Sequence, residues 1–208
     1  MSRYLGSVCK LCRREKEKFF LKGEKCSANC TLERKKGKSS SGQRGFAKVR
    51  MSDYAKHLRE KQKARRVYGL VEEQFRHYYK IAEKMRGSTG NNLIKLLELR
   101  LDNVVYRLGL ASSKKMARQI VNHGNVLVNE KKIDIPRYQL KAGDIITIPE
   151  KYKANAVIKK LIEKPISNVP TWLSFDKNKV VGTVISDPLI SEISYPINSQ
   201  LIVEYYSK

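Results

Sequence analysis

From Ser52 onward the apolar positions recur at spacings of three and four. Tyr54, Ala55 and Leu58 share one side of a segment otherwise crowded with Lys56, Arg59, Lys61, Lys63, Arg65 and Arg66. This predicts a helix capped by Ser52 and stopped near Gly69. A second helix is expected over Val71 to Arg86, where Val71, Phe75, Tyr78, Tyr79 and Ala82 form a core-facing stripe ending at Gly87. Leu93, Leu97, Leu101, Val104, Val105 and Leu108 then predict one continuous helix from an Asn91 or Asn92 cap to Gly109. A fourth starts at Ser112 or Ser113, with Met116, Ala117, Ile120 and Val121 inward and Lys114, Lys115, Arg118, Gln119 and Asn122 outward, and ends at Gly124. Beyond it the period changes to two. Residues 125–129 alternate as a strand, Glu130-Lys131-Lys132 reads as the turn, Ile133-Asp134-Ile135 as the return, and residues 145–148 as a third strand. A helix is expected over residues 154–163; the punctuated segment after it fixes little until Gln200-Leu201-Ile202-Val203-Glu204.

Charge changes the picture more than length does. The 208 residues carry 43 Lys+Arg against 20 Asp+Glu, a formal net charge of +23, which opposes folding unless a polyanion neutralises it. A nucleic acid is the partner this implies. Residues 1–66 hold 21 − 6 = +15 of that charge, residues 67–150 hold 14 − 9 = +5, and residues 151–208 hold 8 − 5 = +3. The stretch Arg34 to Gly45, rich in Lys, Arg, Gly and Ser, reads as an arm that orders on RNA. No apolar run approaches the roughly 18 residues a bilayer crossing needs, and the first residues lack the features of a secretory signal. The expected setting is the cytoplasm, with no membrane partner.

The four cysteines, Cys9, Cys12, Cys26 and Cys30, form a C-x2-C-x13-C-x3-C pattern. Paired thiolates two or three residues apart can close a tetrahedron around a soft cation, and in a reducing compartment disulfides are disfavoured. Lys10, Arg13, Arg14 and Lys25 flank the pairs and are expected to lower the thiol pKa values. Zinc is the expected ion, with an iron-sulfur cluster or no metal as alternatives. With four protein ligands the metal would be structural, folding an arm that has little apolar core.

A family resemblance emerges from several segments in order. They are the cysteine knuckles beside Arg13-Arg14-Glu15, the run from Leu58 to Leu70 (LREKQKARRVYGL), the run from Leu99 to Gly109 (LRLDNVVYRLG), residues 117–124 (ARQIVNHG) and the closing QLIVE at 200–204. The chain resembles the bacterial small-subunit ribosomal protein S-four family in its zinc-binding form. The resemblance implies an α+β fold: a basic zinc-knuckle arm at 1–45, a mainly helical domain beginning at 46–91, and an inserted small α/β RNA-binding domain at 92–155. The C-terminal segment 156–208 would return to the helical part. It further implies binding to a junction in the 5′ domain of 16S rRNA early in subunit assembly, a role in decoding accuracy through ribosomal protein S-five, contacts with other small-subunit proteins and with mRNA near the entry channel, and translational autoregulation in some bacteria. No homo-oligomer is expected. The chain departs from the family pattern in having three residues between its last cysteines, Ser7 after Gly6, Arg44 after Gln43 and Asn125 after Gly124.

Structured RNA is held chiefly through phosphates and 2′-hydroxyls, which Lys and Arg on rigid helices serve best. The candidate contacts are Arg3, Lys10, Arg13 and Arg14 of the arm, Lys56, Arg59, Lys63, Arg65 and Arg66 of the first helix, and Lys114, Lys115, Arg118 and Gln119 of the fourth. Tyr4, Tyr68, Tyr78 and Tyr79 are candidates for base stacking or core. Two other classes compete. Arg100-Leu101-Asp102 matches the tripeptide in which pseudouridine synthases carry a catalytic Asp, but Asp102 falls within the leucine-striped helix, where local pairing is the simpler expectation and no separate catalytic domain is available. A DNA-binding zinc module would need a following recognition helix at finger-like spacing.

Overall fold

The computed structural model describes residues 4–33, 51–163, 169–193 and 195–207, so Arg3 and the stretch from Arg34 to Gly45 lie outside the described residues. The chain divides into two units, Met1–Leu93 with Tyr195–Lys208, and Ile94–Ser194.

The first unit is helical: α1 (Val8–Glu15), α2 (Glu24–Ala28), α3 (Asp53–Val67), α4 (Glu72–Lys84) and the C-terminal α10 (Ser199–Tyr206). Ser52 Oγ accepts the Ala55 N–H at 3.2 Å and sets the start of α3; such a cap contributes about 1 kcal/mol. Its end is a left-handed Gly69 (φ 63), with the Leu70 N–H donating to the Arg65 carbonyl at 2.9 Å. Phe75, Tyr78, Tyr79 and Ala82 bury the inner face of α4. The Tyr206 ring of α10 packs 4.5 Å from Tyr79 and 6.4 Å from Phe75. The C-terminus thus completes the helical core.

The second unit holds the end of α5 (Thr89–Glu98), then α6 (Leu101–Arg107), α7 (Lys114–Asn122), the short α8 (Glu150–Lys153), α9 (Ala156–Glu163) and a five-stranded antiparallel sheet. The strands are β1 (Leu127–Val128), β2 (Lys131–Lys132), β3 (Ile145–Thr147), β4 (Leu173–Asp176) and β5 (Val181–Val184), in the order β2-β1-β3-β5-β4. Val128, Ile146, Leu173 and Val184 share one core with Leu101, Val104, Val105 and Leu108 of α6 and Ala117, Ile120 and Val121 of α7. Gly182 lies where β5 passes this core, and an added Cβ there would overlap the Leu108 side chain. Among the described residues no helix is long and apolar enough to cross a membrane.

Four expectations are corrected. The single helix through Leu108 is two helices, because Leu99 and Arg100 leave the helix and pair with Gln139. The Leu101 N–H donates to the Tyr138 carbonyl and the Leu140 N–H to the Leu99 carbonyl, each at 2.9 Å. Leu97, Leu101, Val104 and Leu108 remain buried across the break, so the apolar stripe conceals it. Asn92 does not start a helix but lies inside α5, which begins at Thr89, and its amide donates to the Ala82 carbonyl of α4 at 3.4 Å and to the Arg86 carbonyl beyond it at 3.2 Å. The first hairpin turns two residues early. Asn129 and Glu130 take positive φ (48 and 66), a pair suited to a two-residue turn, and pair Val128 with Lys131. Finally, residue 155 is no boundary: β5 pairs with β3, Ile145 opposite Thr183, so the second unit runs on to Ser194 and only residues from Tyr195 return to the helical unit.

Candidate nucleic-acid interface

Basic side chains on α1 and α3 form the first candidate surface. Lys10 and Arg14 lie one turn apart on α1 and are exposed; Arg13 is half-buried. Among the basic candidates on α3 Lys56 alone is exposed, and it bonds Asp53 at 2.8 Å. The others are engaged inward. Glu15 Oε1 accepts from Arg59 Nη1 at 3.2 Å and also from Arg66, while Lys63, buried, reaches Glu17 at 2.8 Å. Arg65 lies 3.4 Å from Glu72. The Glu15 side chain is only 5% exposed, and burial pushes its carboxyl above the ordinary range despite Arg66, Arg59 and Arg14. Burial also lowers the Arg66 pKa. These ion pairs tie the arm to α3.

A related cluster joins α3, α4 and α10. Lys61 is buried, its Nζ 2.7 Å from Glu72 and 4.5 Å from the Tyr205 ring centre, and the Tyr206 hydroxyl donates to Glu72 at 3.0 Å. Burial raises the Tyr206 hydroxyl pKa. At Glu72 burial acts upward as well, but the bonds from Lys61 and Tyr206 together with Arg65 hold the carboxyl below its ordinary range. His57 Nε2 lies 3.1 Å from Glu204 and adds another link to α10.

The second candidate surface is the outer side of α7, which Ser113 caps by accepting the Met116 N–H at 3.3 Å. Lys115 and Gln119 are exposed at i and i+4, with Arg118 half-buried between them. Arg118 Nε and Nη2 both donate to Asp102 Oδ2, at 2.9 and 2.7 Å. Arg100 donates to the same carboxylate at 3.0 and 2.8 Å, Nε to Oδ1 and Nη2 to Oδ2. Burial acts to raise the Asp102 pKa, but Arg100 and Arg118 outweigh it and hold the carboxyl below its ordinary range. This is the local pairing expected of Asp102, which is buried and saturated by two guanidinium groups. Glu98, also buried, accepts from Arg107 at 2.8 Å and from the Asn103 amide at 2.7 Å.

Lys114 departs from expectation. It stands three and seven residues before Ala117 and Val121, hence on the inner side of α7, and its Nζ is buried 5.8 Å from the Tyr106 ring centre. Burial pushes its pKa down to about 7, with Arg107 and Arg100 adding to the fall and Glu98 and Asp102 opposing it. Tyr68, Tyr78 and Tyr79 are core residues, whereas Tyr4 is exposed.

Cys9 and Cys12 lie on α1, Cys26 on α2, and Cys30 just beyond it. None is in a disulfide, and Cys12 is buried while the others are half-buried. The Lys22 N–H donates to Cys26 Sγ at 3.3 Å. The expected lowering of thiol pKa is reversed at Cys12, where burial raises it and the charges of Cys26, Cys9 and Cys30 add to the rise, against a backbone hydrogen bond at Phe19. Four soft donors suit zinc. Among the described residues, however, no three His, Cys, Asp or Glu side chains are gathered closely enough to hold a metal ion.

Residues 3–98 match the family model described as Ribosomal protein S4/S9 N-terminal domain, and residues 99–146 match the S4 domain. The chain is 78% identical over 208 residues to small ribosomal subunit protein uS4 of Endomicrobium trichonymphae, with all of both chains covered. The chain belongs to the uS4 family. Similarity at full coverage of both chains extends to uS4 of Magnetococcus marinus (51% over 210 residues) and uS4A of Clostridium novyi (50% over 209 residues). The two uS4 family matches meet at residues 98 and 99, where α5 gives way to α6. The S4-domain match stops within β3, so β4 and β5 extend the sheet beyond it.

Proposed function

We propose that this chain is a structural constituent of the small ribosomal subunit in the cytoplasm, that it binds folded ribosomal RNA, and that it has no catalytic role. The observation that carries this reading is the placement of exposed basic side chains on rigid helices, Lys10 and Arg14 on α1 and Lys115 with Gln119 on α7, in a chain of net charge +23 and uS4 family membership. A polyanion neutralises that charge, and fixed helices favour recognition of RNA shape over base sequence. The finer assignment follows the family resemblance. The RNA is a junction in the 5′ domain of 16S rRNA, bound early in assembly; ribosomal protein S-five and other small-subunit proteins are neighbours; mRNA passes near the entry channel; decoding accuracy and repression of its own messenger are further roles.

Arg59, Lys63, Arg65, Arg66 and Arg118 would act from within ion pairs, and Arg3 and Arg13 as arm contacts. Lys114 would contribute little direct contact because its ammonium is turned inward. Cys9, Cys12, Cys26 and Cys30 would hold a structural zinc, which requires the two pairs to draw together and would fix the arm against α3. Filter binding of the chain to a folded 5′-domain fragment across a salt series tests the RNA reading. Neutralising about ten phosphates predicts a slope of log affinity against log salt of order −7 to −9. Elemental analysis tests the metal: one zinc per chain, lost when Cys9 and Cys12 are both replaced by Ser, is expected, whereas visible absorbance with iron would indicate a cluster.

A further inference from the structure

Asp102 has a division of labour built around it. Its two guanidinium partners differ in exposure: the Arg100 side chain is 3% exposed, the Asp102 side chain 6%, and the Arg118 side chain 18%. Arg100 bonds both carboxylate oxygens from inside and serves as the buried counter-ion. Arg118 arrives from α7 and presents Nε and Nη2 to a single oxygen, which fixes the plane of its guanidinium. Two guanidinium groups meet one carboxylate, and of the two it is Arg118 that reaches the surface. Lys115 and Gln119 flank that side chain on the same side of α7.

We propose that Asp102 is a positioning residue for RNA binding: it holds Arg118 in a preset orientation between Lys115 and Gln119, while Arg100 cancels its charge. This rests on the RNA-binding reading above. The helices do not need the node to pack, because Leu101 and Val105 already meet Ala117 and Val121 in the apolar core. Burying an ionic node costs desolvation that apolar residues would avoid. What the node supplies is geometry. An arginine whose orientation is already fixed loses less freedom on meeting a phosphate than a solvated one.

The test compares the full wild-type chain with Arg118→Lys, Arg118→Ala, Asp102→Asn and the Asp102→Asn, Arg118→Ala double variant. Each is titrated against the folded 5′-domain fragment and against a scrambled RNA of equal length, with Trp172 fluorescence reporting the fold. The expected result is a loss of about tenfold for Arg118→Ala, nearly the same for Arg118→Lys, and a comparable loss for Asp102→Asn that disappears in the Arg118→Ala background. Arg118→Lys binding like wild type would overturn the proposal, since charge alone would then suffice. Full additivity of Asp102→Asn with Arg118→Ala would overturn it equally. Should Asp102→Asn fail to fold, the contrast between the Arg118 variants decides by itself. Failure of the wild-type chain to prefer the ribosomal fragment would instead sink the RNA-binding reading and this proposal with it.

Discussion

Glu15 in the helical unit and Asp102 in the α/β unit are each buried carboxylates between two arginines, yet their electrostatic balance has opposite sign. At Glu15 burial wins and the carboxyl is raised; at Asp102 the arginines win and it is lowered. At Asp102 the charges of Arg100 and Arg118 are the larger lowering influence, and their hydrogen bonds add to it. Asp102 receives four bonds over both oxygens, whereas Arg59 and Arg66 both converge on Oε1 of Glu15. A buried ion pair repays its desolvation only when the geometry saturates the acceptor. The Glu15 contact is accordingly a tether for the arm, and the Asp102 node is a fixed framework.

The largest expected contrast is in stability. Asp102→Ala strands Arg100 and Arg118 and should cost about 3–5 kcal/mol in denaturant unfolding, whereas Glu15→Ala should cost only about 1–2 kcal/mol because Arg59 and Arg66 can turn to water. Equal costs would erase the distinction. Gly182→Ala confines damage to one side of the comparison. Its Cβ would press on Leu108, and a loss of about 1–3 kcal/mol is expected, seen as reduced amide-exchange protection in β3 and β5 with α3 and α4 unchanged.

The pH dependence sharpens the contrast further. A lowered folded pKa means that the Asp102 contribution is present above its ordinary value of 3.8 and is lost as acid takes the pH below that value. A raised folded pKa at Glu15 works the other way, so its contribution declines as pH rises above 4.5. Carbon-13 titration of the two carboxyls should show the two midpoints displaced in opposite directions. Lys114 adds an alkaline signature. Because its pKa falls from 10.5 to about 7, the unfolded chain binds the extra proton between those values, so stability should rise with pH across that window, and Lys114→Met should flatten the rise. The smallest effects belong to exposed residues. Lys10→Ala, Arg14→Ala and Lys115→Ala should each change stability by no more than about 0.5 kcal/mol while reducing the salt slope of RNA binding by about one.

Periodicity located α3, α4 and α7 because each carries an apolar face of uniform phase ended by a cap or a left-handed glycine. It failed between α5 and α6, where the interruption at Leu99 and Arg100 preserves the phase of the leucines on either side. It failed again at the first hairpin, where Asn129 and Glu130 supply the turn and the lysine pair that looked like turn residues is β2. The strands β4 and β5 were illegible because their pairing is long-range, Thr183 with Ile145 and Gly182 with Ile146. For the candidate interface, charge drew attention to α1, α3 and α7 but did not indicate which of their side chains face outward. Lys63 and Lys114 show that a basic residue on a basic helix can be turned into the fold, and only acidic neighbours such as Glu17 and Glu98 carried any hint of it. The cysteine spacing drew attention to the thiols of α1 and α2, while the pKa direction at Cys12 depends on a burial that no spacing encodes.

The most direct test of the central claim is binding of the purified chain to a folded 5′-domain fragment of small-subunit ribosomal RNA across a salt series, beside a scrambled RNA of equal length. Preference for the ribosomal fragment by about a hundredfold, about 2.7 kcal/mol, sustained at physiological salt, is the predicted result. Equal and steeply salt-dependent binding to both RNAs would mean that the net charge acts alone, and would contradict it.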